Sequence, residues 1–416
     1  MIIANGLQIQ YKNTWRTNNG GLAMLSEGSK LVINTLNNAG FEAYAVGGCV
    51  RDAIINIQIT DWDITTAATP NEVKEVFSDK KIIDTGIQHG TVTLLICNES
   101  IEITTFRMDN DYEDHRRPSK VKYSKTLEED LERRDFTMNA LAYHPEKGIV
   151  DLFGGAVDIE NKVIKCVGDP NKRFEEDSLR ILRAIRFVSK LGFEIEKNTK
   201  EALFEKKELL SFLSKERITK ELLETLNGKN VSTALVDYKD IWKVAVDNID
   251  KAITAEVCFD DLMPDEILRL SRLLLPLCEE KLLVVLQSLR LSRQQEKRIK
   301  QIHSYQNVEF NADSKQLKHL MSKVSFELFD DLVELFADNK EMIKKMKAEV
   351  VNENQCFQTS MLDVSGIDLQ NLGLVPSEVG KTLELMVSEV IEENLVNEKE
   401  VLLSYARGII EKKGSN

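Results

Sequence analysis

The 416-residue chain has no long apolar stretch and little cysteine, proline or aromatic content. No hydrophobic run approaches the roughly 20 residues that a transmembrane helix needs, and we recognise no signal-peptide core at the N-terminus. The six cysteines are scattered and form no C-x-x-C pair, which argues against a zinc site or a disulfide framework. We therefore expect a cytoplasmic protein with reduced thiols and no membrane partner.

What is present favours an ordered, helix-rich protein. The chain is 42% hydrophobic and 30% charged, with only 7 prolines and 20 glycines. The formal net charge of −13 argues mildly against a nucleic-acid partner, but phosphate binding depends on local fields and not on the sum. Basic clusters do occur, and one of them comprises Arg290, Arg293, Lys297, Arg298 and Lys300.

Hydrophobic periodicity divides the chain into an α/β region and a helical remainder. Residues 1–25 show no clear period and are interpreted as a leader. A helix is predicted over 27–38, and β-like runs at 43–46, 61–65, 91–97 and 101–106 alternate with helical stretches at 51–57 and 71–77. Beyond residue 170 amphipathic helices dominate, at 177–191, 216–226, 265–275, 281–289, 326–336 and 381–392.

A glycine pair follows the first predicted strand. A strand, Gly47-Gly48 and then a helix let backbone N–H groups approach a phosphate closely, and Arg51 adds a bidentate donor one turn later. The alternative is a tight strand-to-helix turn in which Arg51 only pairs with Asp52.

Two acids stand one residue apart on the next strand. Side chains alternate along a strand, so Asp61 and Asp63 point to one side of it. Two unpaired carboxylates on one face repel each other unless a cation bridges them, which suits Mg²⁺ holding substrate phosphates. Glu102 could be a third acid on a neighbouring strand, or an ordinary exposed glutamate; a solvated strand edge is the alternative for the aspartates.

Two further polar segments suit nucleotide recognition. Arg134, Asp135 and Asn139 supply a cation, an acceptor and an amide that fit a triphosphate and a ribose, although a surface ion-pair ladder would look similar. Asp177 and Arg180 are three residues apart and would be adjacent on a helix. Such a donor–acceptor pair can read the edge of a base, whereas in isolation it is more often a surface salt bridge.

The order of these segments resembles that of class II tRNA nucleotidyltransferases, the CCA-adding enzymes whose catalytic head is shared with bacterial poly(A) polymerases. The resemblance extends over about residues 28–225. It rests on five runs in register: Gly47-Gly48-Cys49-Val50-Arg51-Asp52, Asp61-Trp62-Asp63, Thr85-Gly86-Ile87-Gln88-His89-Gly90-Thr91-Val92-Thr93, Arg133-Arg134-Asp135-Phe136-Thr137-Met138-Asn139-Ala140 and Glu176-Asp177-Ser178-Leu179-Arg180.

The resemblance implies a role for each matching residue. The catalytic acids that would hold two Mg²⁺ ions are Asp61 and Asp63, with Glu102 as a further candidate. The triphosphate would be bound by Gly47, Gly48, Arg51 and Arg134, and the ribose by Asp135 and Asn139. The base of CTP or ATP would be read by Asp177 and Arg180, with phosphates steadied by Arg183 and Arg186. A flexible loop would include Arg107, Asp109, Arg116 and Arg117.

The resemblance also implies an architecture and an activity. We expect an α/β nucleotidyltransferase head with a polymerase-β-like mixed sheet, followed by an elongated all-α neck, body and tail. The predicted boundaries are a leader at 1–25, the head at 26–168, the neck at 169–230, the body at 231–315 and the tail at 316–416. The enzyme would add CCA to tRNA 3′ ends from CTP and ATP with release of pyrophosphate, gripping the acceptor and TψC arm and not DNA.

Three alternatives stay open at this point. An A-adding enzyme that works with a CC-adding partner, or a poly(A) polymerase, would share these motifs. The full-length segment 107–118 disfavours relatives that add only CC, because those lack part of it. A catalytically inactive RNA-binding protein on a decayed head would be expected to have lost one acid, yet both are present.

Overall fold

A computed structural model describes residues 25–108 and 122–414. The described residues up to Asp260, together with Cys278–Arg290, form one compact unit, and Asp261–Leu277 with the residues from Leu291 onward form a second. Within these ranges no helix is both long and apolar enough to cross a membrane. The predicted limits of the leader, neck, body and tail stay predictions.

A seven-stranded mixed sheet forms the centre of the first unit. Its strands are β1 (Ala43–Val46), β2 (Trp62–Thr66), β3 (Lys81–Gly86), β4 (Thr91–Ile96), β5 (Glu99–Thr105), β8 (Leu141–His144) and β9 (Gly148–Asp151), in the order β3-β4-β5-β2-β1-β8-β9. Two short pairs accompany it, β6 (Arg107–Met108) with β7 (Lys122–Tyr123), and β10 (Val163–Ile164) with β11 (Glu194–Ile195).

Within the large sheet β2 and β5 run parallel, whereas the other neighbouring strands are antiparallel. Strand β5 alternates between buried and more exposed side chains, and the paired residues of β2 follow it at two positions: Ile64, Ile101 and Ile103 are buried, whereas Asp63 and Glu102 are exposed. The period-two pattern of these strands therefore places apolar side chains on the core and acids on the opposite face.

The helices of the first unit surround this sheet and extend beyond it. They are α1 (Glu27–Asn38), α2 (Gly48–Ile54), α3 (Pro70–Val76), α4 (Leu127–Glu132), α5 (Gly155–Glu160), α6 (Pro170–Glu176), α7 (Leu179–Leu191), α8 (Lys197–Glu205), α9 (Lys215–Leu226), α10 (Val231–Val236), α11 (Lys239–Ala245) and α13 (Glu279–Ser288). Short 3₁₀ turns occur at Ile87–His89, Thr137–Asn139, Lys207–Phe212 and Ile249–Lys251.

The second unit is helical throughout its described residues. Its helices are α12 (Glu266–Leu274), α14 (Arg293–Ser304), α15 (Ser314–Met321), α16 (Phe326–Phe336), α17 (Lys340–Asn352), α18 (Gly366–Asn371), α19 (Pro376–Ile391) and α20 (Lys399–Gly414), with a 3₁₀ turn at Thr359–Met361. The predicted change from an α/β region to a helical remainder is confirmed.

Local signals account for several of the element boundaries. Helix α3, predicted over 71–77, begins at Pro70, because Thr69 and Glu72 form a capping box and Pro70 occupies the first turn. The predicted helix over 177–191 starts two residues late, since Asp177 is extended at φ −149° and ends α6 instead. Strands β3, β8 and β9 were not predicted, because apolar and polar residues alternate too weakly along them.

Gly47 sets the turn from β1 into α2. Its backbone lies at φ 78° and ψ −127°, a region that side chains other than hydrogen do not tolerate. A Cβ built there would also lie 2.9 Å from Nη1 of Arg134. The glycine therefore serves two purposes, since it permits the turn and leaves room for the guanidinium beside it.

We expect Gly47→Ala to lower the free energy of unfolding by about 1–3 kcal/mol, because backbone strain at such a position costs about that much. Gly40→Ala is the matched control: Gly40 also has a positive φ, of 91°, but nothing lies within 4 Å of its built Cβ. Urea unfolding of both variants measures the difference. An equal loss in the two variants would show that the contact with Arg134 adds nothing.

Candidate active site

Arg134 lies against the open side of the glycine turn. Its Nη2 donates to Oδ2 of Asp130 at 3.0 Å, and its Nη1 faces Gly47. The Nε of Arg134 is buried and has no hydrogen-bond acceptor within the described residues. A guanidinium held in place by one carboxylate, with a donor still unused, is well suited to an incoming anion.

Asp130 anchors this corner of the site and was not singled out by the sequence analysis. The carboxylate is fully buried and binds Arg133 at 2.6 Å and Arg134 at 3.0 Å. Thr65 on β2 donates to it as well, at 3.2 Å. Although burial alone raises the pKa of Asp130, Arg134 and Arg133 lower it to about 2. Its i+3 and i+4 spacing from the two arginines was the available signal.

The predicted acids come together on the exposed face of the sheet. Asp63 is the direct partner of Glu102 in the parallel ladder between β2 and β5, so the two side chains are neighbours on one face. Asp61, exposed and just before β2, is near enough to act electrostatically on Asp63. The exposed orientation predicted for Glu102, opposite its flanking isoleucines, is confirmed.

Mutual repulsion is the main electrostatic property of this acidic face. Protein atoms crowd the Asp63 carboxylate, and this desolvation, with the charges of Glu102 and Asp61, raises its pKa to about 6 although Arg134 opposes the shift. The residue nevertheless keeps an exposed surface. Asp63 is also next to the glycine turn, because the thiol of Cys49 on α2 contacts its carbonyl oxygen at 3.8 Å. The acids and the glycine turn therefore lie side by side.

A buried chain of polar groups connects the glycine-turn helix with α7. Arg51 donates through Nη1 to Oδ1 of Asn139 at 2.6 Å, and Nδ2 of Asn139 donates to Oδ1 of Asp135 at 3.1 Å. The other oxygen of Asp135 accepts from Nε of Arg183 at 2.7 Å. Burial by itself raises the pKa of Asp135, but Arg183 and Asn139 hold it well below its usual range, so the carboxylate stays charged.

Arg51 faces into the protein. It is 4% exposed and binds Oδ1 of Asp52 through Nε at 2.8 Å and through Nη2 at 2.7 Å. The pairing with Asp52 considered from the sequence is therefore present. Arg51 also bonds to Asn139, so its observed role is to position the residues around it; contact with a triphosphate stays a prediction.

Asp177 and Arg180 do not share a helix, which corrects the geometry inferred from their spacing. The helical conformation is interrupted between α6 and α7, at Asp177 and Ser178. The Asp177 carboxylate accepts a hydrogen bond from Nη2 of Arg217 at 2.8 Å. Arg180 is 8% exposed; it binds Glu176 at 2.7 Å and donates to the carbonyl oxygen of Arg133 at 3.0 Å. Forty residues separate Asp177 from Arg217, so no local pattern could have revealed that pair.

Arg183 and Arg186 extend from α7 toward an aromatic ring on the same helix. Their guanidinium carbons lie 5.7 Å and 5.0 Å from the centre of the Phe187 ring. Arg186 is also 3.3 Å from Glu221 on α9. Both predicted phosphate-supporting arginines thus occur beside the site, although their contact with a phosphate stays a prediction.

Of the four residues predicted to belong to a flexible loop, one lies within the described residues. Arg107 closes the short β6–β7 pair and donates through Nη1 to the carbonyl oxygen of His89 at 2.9 Å. Asp109, Arg116 and Arg117 lie outside the described residues.

The acidic face fits a metal that takes few protein ligands. In residues 25–108 and 122–414 no three His, Cys, Asp or Glu side chains form a ready metal-binding group. Mg²⁺ commonly uses one or two carboxylates and completes its shell with water and substrate phosphates. The repelling pair of Asp61 and Asp63 fits such an ion, with Glu102 alongside.

The mixed sheet, the acids and the glycine turn all lie within the part of the chain that resembles a described domain. Residues 43–165 match the family described as "Poly A polymerase head domain", and residues 192–239 match "Probable RNA and SrmB- binding site of polymerase A".

The similar proteins are CCA-adding enzymes. The chain is 52% identical to the CCA-adding enzyme of Lactobacillus delbrueckii over 207 residues, which cover 50% of this chain and 52% of that protein. It is also 52% identical to the Listeria monocytogenes CCA-adding enzyme over 204 residues, or 49% and 51% of the two chains. The matched region therefore spans about half the length of these relatives.

Solved structures extend the likeness over most of the chain. The Bacillus stearothermophilus CCA-adding enzyme in complex with CTP superposes with a TM-score of 0.81 at 27% identity, covering 94% of this chain and 98% of that one. A Thermotoga maritima CCA-adding enzyme complexed with tRNA gives 0.64 at 21% identity, covering 92% and 94%, and shares the fold. The predicted family resemblance and fold class are confirmed.

The raised pKa of Asp63 makes a prediction about stability. A carboxyl group whose pKa is higher in the folded state favours the protonated form, so it destabilises the protein as pH rises from about 4 through 6. Asp63→Asn removes this cost. We expect a gain of about 1 kcal/mol at pH 7.5, discounted for solvent exposure, and almost none at pH 4.

Urea unfolding at the two pH values measures this gain. The control is Asp79→Asn, an exposed acid whose pKa is lowered by the side chain of Lys80, so that this variant should show no gain at pH 7.5. A gain for Asp63→Asn that is independent of pH would contradict the electrostatic explanation.

Proposed function

We propose that the protein is a template-independent nucleotidyltransferase that adds C, C and A to tRNA 3′ ends from CTP and ATP, releasing pyrophosphate. The observation that carries the proposal is the pairing of Asp63 with Glu102, beside Asp61 and in front of the glycine turn and Arg134. The activity itself is inferred from the named relatives, and the site lies within residues 43–165, which match the poly A polymerase head domain.

Asp61 and Asp63 would hold the magnesium ions, with Glu102 as a possible third ligand. When bound, Mg²⁺ neutralises phosphate charge and activates a hydroxyl for attack on the α-phosphate. On the protein side, one of the two aspartates would help to take the proton of the tRNA 3′-hydroxyl.

Arg134 would bind the triphosphate. Asp130 fixes its orientation, and its buried Nε is still without an acceptor among the described side chains and backbone. Gly47 and Gly48 would form the other side of this triphosphate site, although the N–H of Gly47 is already bonded to the carbonyl oxygen of Leu141. Asp135 and Asn139 would contact the ribose from the edge of the buried chain.

Asp177 and Arg180 would select the base. Each is restrained by a partner outside the predicted pair, Asp177 by Arg217 and Arg180 by Glu176. A fixed donor and a fixed acceptor discriminate because a wrong base leaves one of them unpaired. Arg217 and Glu176 therefore belong to the proposed selection apparatus as positioning residues.

Nucleotide incorporation into defined tRNA ends tests the proposal. Three tRNA transcripts are used, which lack the whole CCA end, end after its first C or end after its second C. Each is incubated with Mg²⁺ and with each nucleotide singly. We expect C on the first two ends and a single A on the third. An A-adding enzyme would extend only the third, a poly(A) polymerase would add A repeatedly, and an inactive RNA-binding protein would extend none.

The acids are tested in the same assay. Asp61→Ala or Asp63→Ala should lower incorporation by at least about 1,000-fold, because metal-held charge supplies several kcal/mol of transition-state stabilisation. Asp79→Ala, which removes an exposed acid paired with Lys80, is the control and should be fully active. Full activity in either acid variant would refute the metal assignment.

The helical second unit offers a surface for the tRNA backbone. Arg293, Lys297 and Lys300 recur at helical spacing along one exposed side of α14. Lys300 has an acidic neighbour, Glu296, at 3.7 Å. Arg293 and Lys297 are exposed and have no acidic partner in the part of the chain that the structure describes. Unpaired cations in a row favour contact with phosphates.

We expect the double variant Arg293→Ala/Lys297→Ala to weaken tRNA binding about 10-fold at 0.1 M salt and to reduce the salt dependence by about two phosphate contacts. Lys74→Ala/Lys80→Ala provides a control of equal charge change, because these two lysines already pair with Asp84 and Asp79. Binding is measured by filter retention between 0.05 and 0.3 M KCl. An unchanged salt slope would place the tRNA backbone elsewhere.

A further inference from the structure

We propose that Phe187 is a positioning residue that holds the arginines of the triphosphate site and of the base-reading helix in one arrangement; the proposal rests on the proposed function. Phe187 is 4% exposed and lies on α7. Its ring is the meeting point of three cationic side chains and one aromatic side chain. None of the motifs quoted from the sequence includes it.

The cations come from both parts of the site. The guanidinium carbon of Arg51 lies 5.1 Å from the ring centre, that of Arg186 lies 5.0 Å away and that of Arg183 lies 5.7 Å away. Each distance is within the roughly 6 Å over which a cation is attracted to the negative face of an aromatic ring. Arg51 belongs to the glycine-turn helix, whereas Arg183 and Arg186 belong to α7.

Phe136 is the aromatic side chain in this cluster, and it directly follows the segment Arg133-Arg134-Asp135. Its ring meets Phe187 edge-on, with centroids 5.8 Å apart and an angle of 88° between the planes. That geometry is favourable for two aromatic quadrupoles. Phe136 immediately follows Asp135, which Arg183 binds, so the ring and the buried polar chain restrain the same residues.

Carboxylates compensate the arginine charges on the outside of the cluster. Arg51 is paired with Asp52, Arg183 with Asp135 and Arg186 with Glu221. The buried ring is in turn within about 6 Å of all three guanidinium carbons, and its negative face attracts them. An aliphatic side chain at position 187 would occupy a similar volume but would not attract the guanidinium groups. The three arginines would then lose the contact that they share.

This arrangement predicts a defect in nucleotide selection and not only in stability. Phe187→Leu should raise the KM for CTP and ATP about 10-fold and increase incorporation of UTP and GTP, while kcat changes less than about threefold. Phe187→Tyr keeps an aromatic face and should retain most of the selectivity. Equal behaviour of the Leu and Tyr variants in these measurements would overturn the role of the ring.

A matched control separates positioning from general packing. Phe329 in the second unit is fully buried, has Phe310 edge-on at 5.9 Å and has Lys347 at 5.4 Å from its ring. Phe329→Leu should lower the melting temperature as much as Phe187→Leu without changing nucleotide choice. An equal loss of selectivity in both Leu variants would show that destabilisation alone is responsible.

Binding of CTP and UTP to the full chain is titrated alongside turnover. If the wild-type chain binds CTP but extends no tRNA, the proposed function fails, and the titration of Phe187→Leu still decides the role of the ring. If the Leu variant is unfolded at the assay temperature, Phe187→Met supplies the same comparison. Unchanged CTP binding and selectivity in a folded variant would overturn the inference.

Discussion

The buried chain of hydrogen bonds from Asp52 through Arg51, Asn139 and Asp135 to Arg183 is the constraint on which the site depends. Charges removed from water are tolerated only when every partner is present, because an orphaned member leaves an uncompensated ion in a poor dielectric. The cost of breaking one link is therefore high, and the glycine-turn helix and α7 keep a fixed relation. Under the proposed function, preorganisation of this kind would remove the need to assemble the nucleotide pocket during each cycle.

The acidic face follows the opposite principle. There, Asp61, Asp63 and Glu102 are left close together without a compensating ion pair strong enough to keep the pKa of Asp63 low, since desolvation and its two acidic neighbours outweigh Arg134. The charged groups of the interior network each have a partner, whereas the surface acids repel one another and would be relieved by a cation. Carboxylates with perturbed pKa values of this kind are concentrated at functional sites.

Strong local patterns allowed much of the head to be predicted from the sequence. Helix α1 has the predicted limits, and the alternation of isoleucine and acid in β5 correctly placed Glu102 on the exposed face. Residues whose partners are distant in the chain could not be predicted. Arg217 reaches Asp177 from forty positions away, and Asp177 leaves the helix that simple spacing assigned to it. Arg51 was correctly expected near the glycine turn, but its burial depends on Asn139 and Phe187, which are brought to it only by the folded sheet and α7.

The parallel ladder between β2 and β5 limits how this head can diverge. Asp63 and Glu102 are opposite each other because both strands are in register from Trp62 and Ile101 to Thr66 and Thr105. Inserting or deleting a single residue inside β5 would turn Glu102 into the core and expose an isoleucine in its place. Length changes between the two acids should therefore accumulate in the hairpin connections at the sheet's periphery, leaving the spacing inside both strands invariant over evolutionary time.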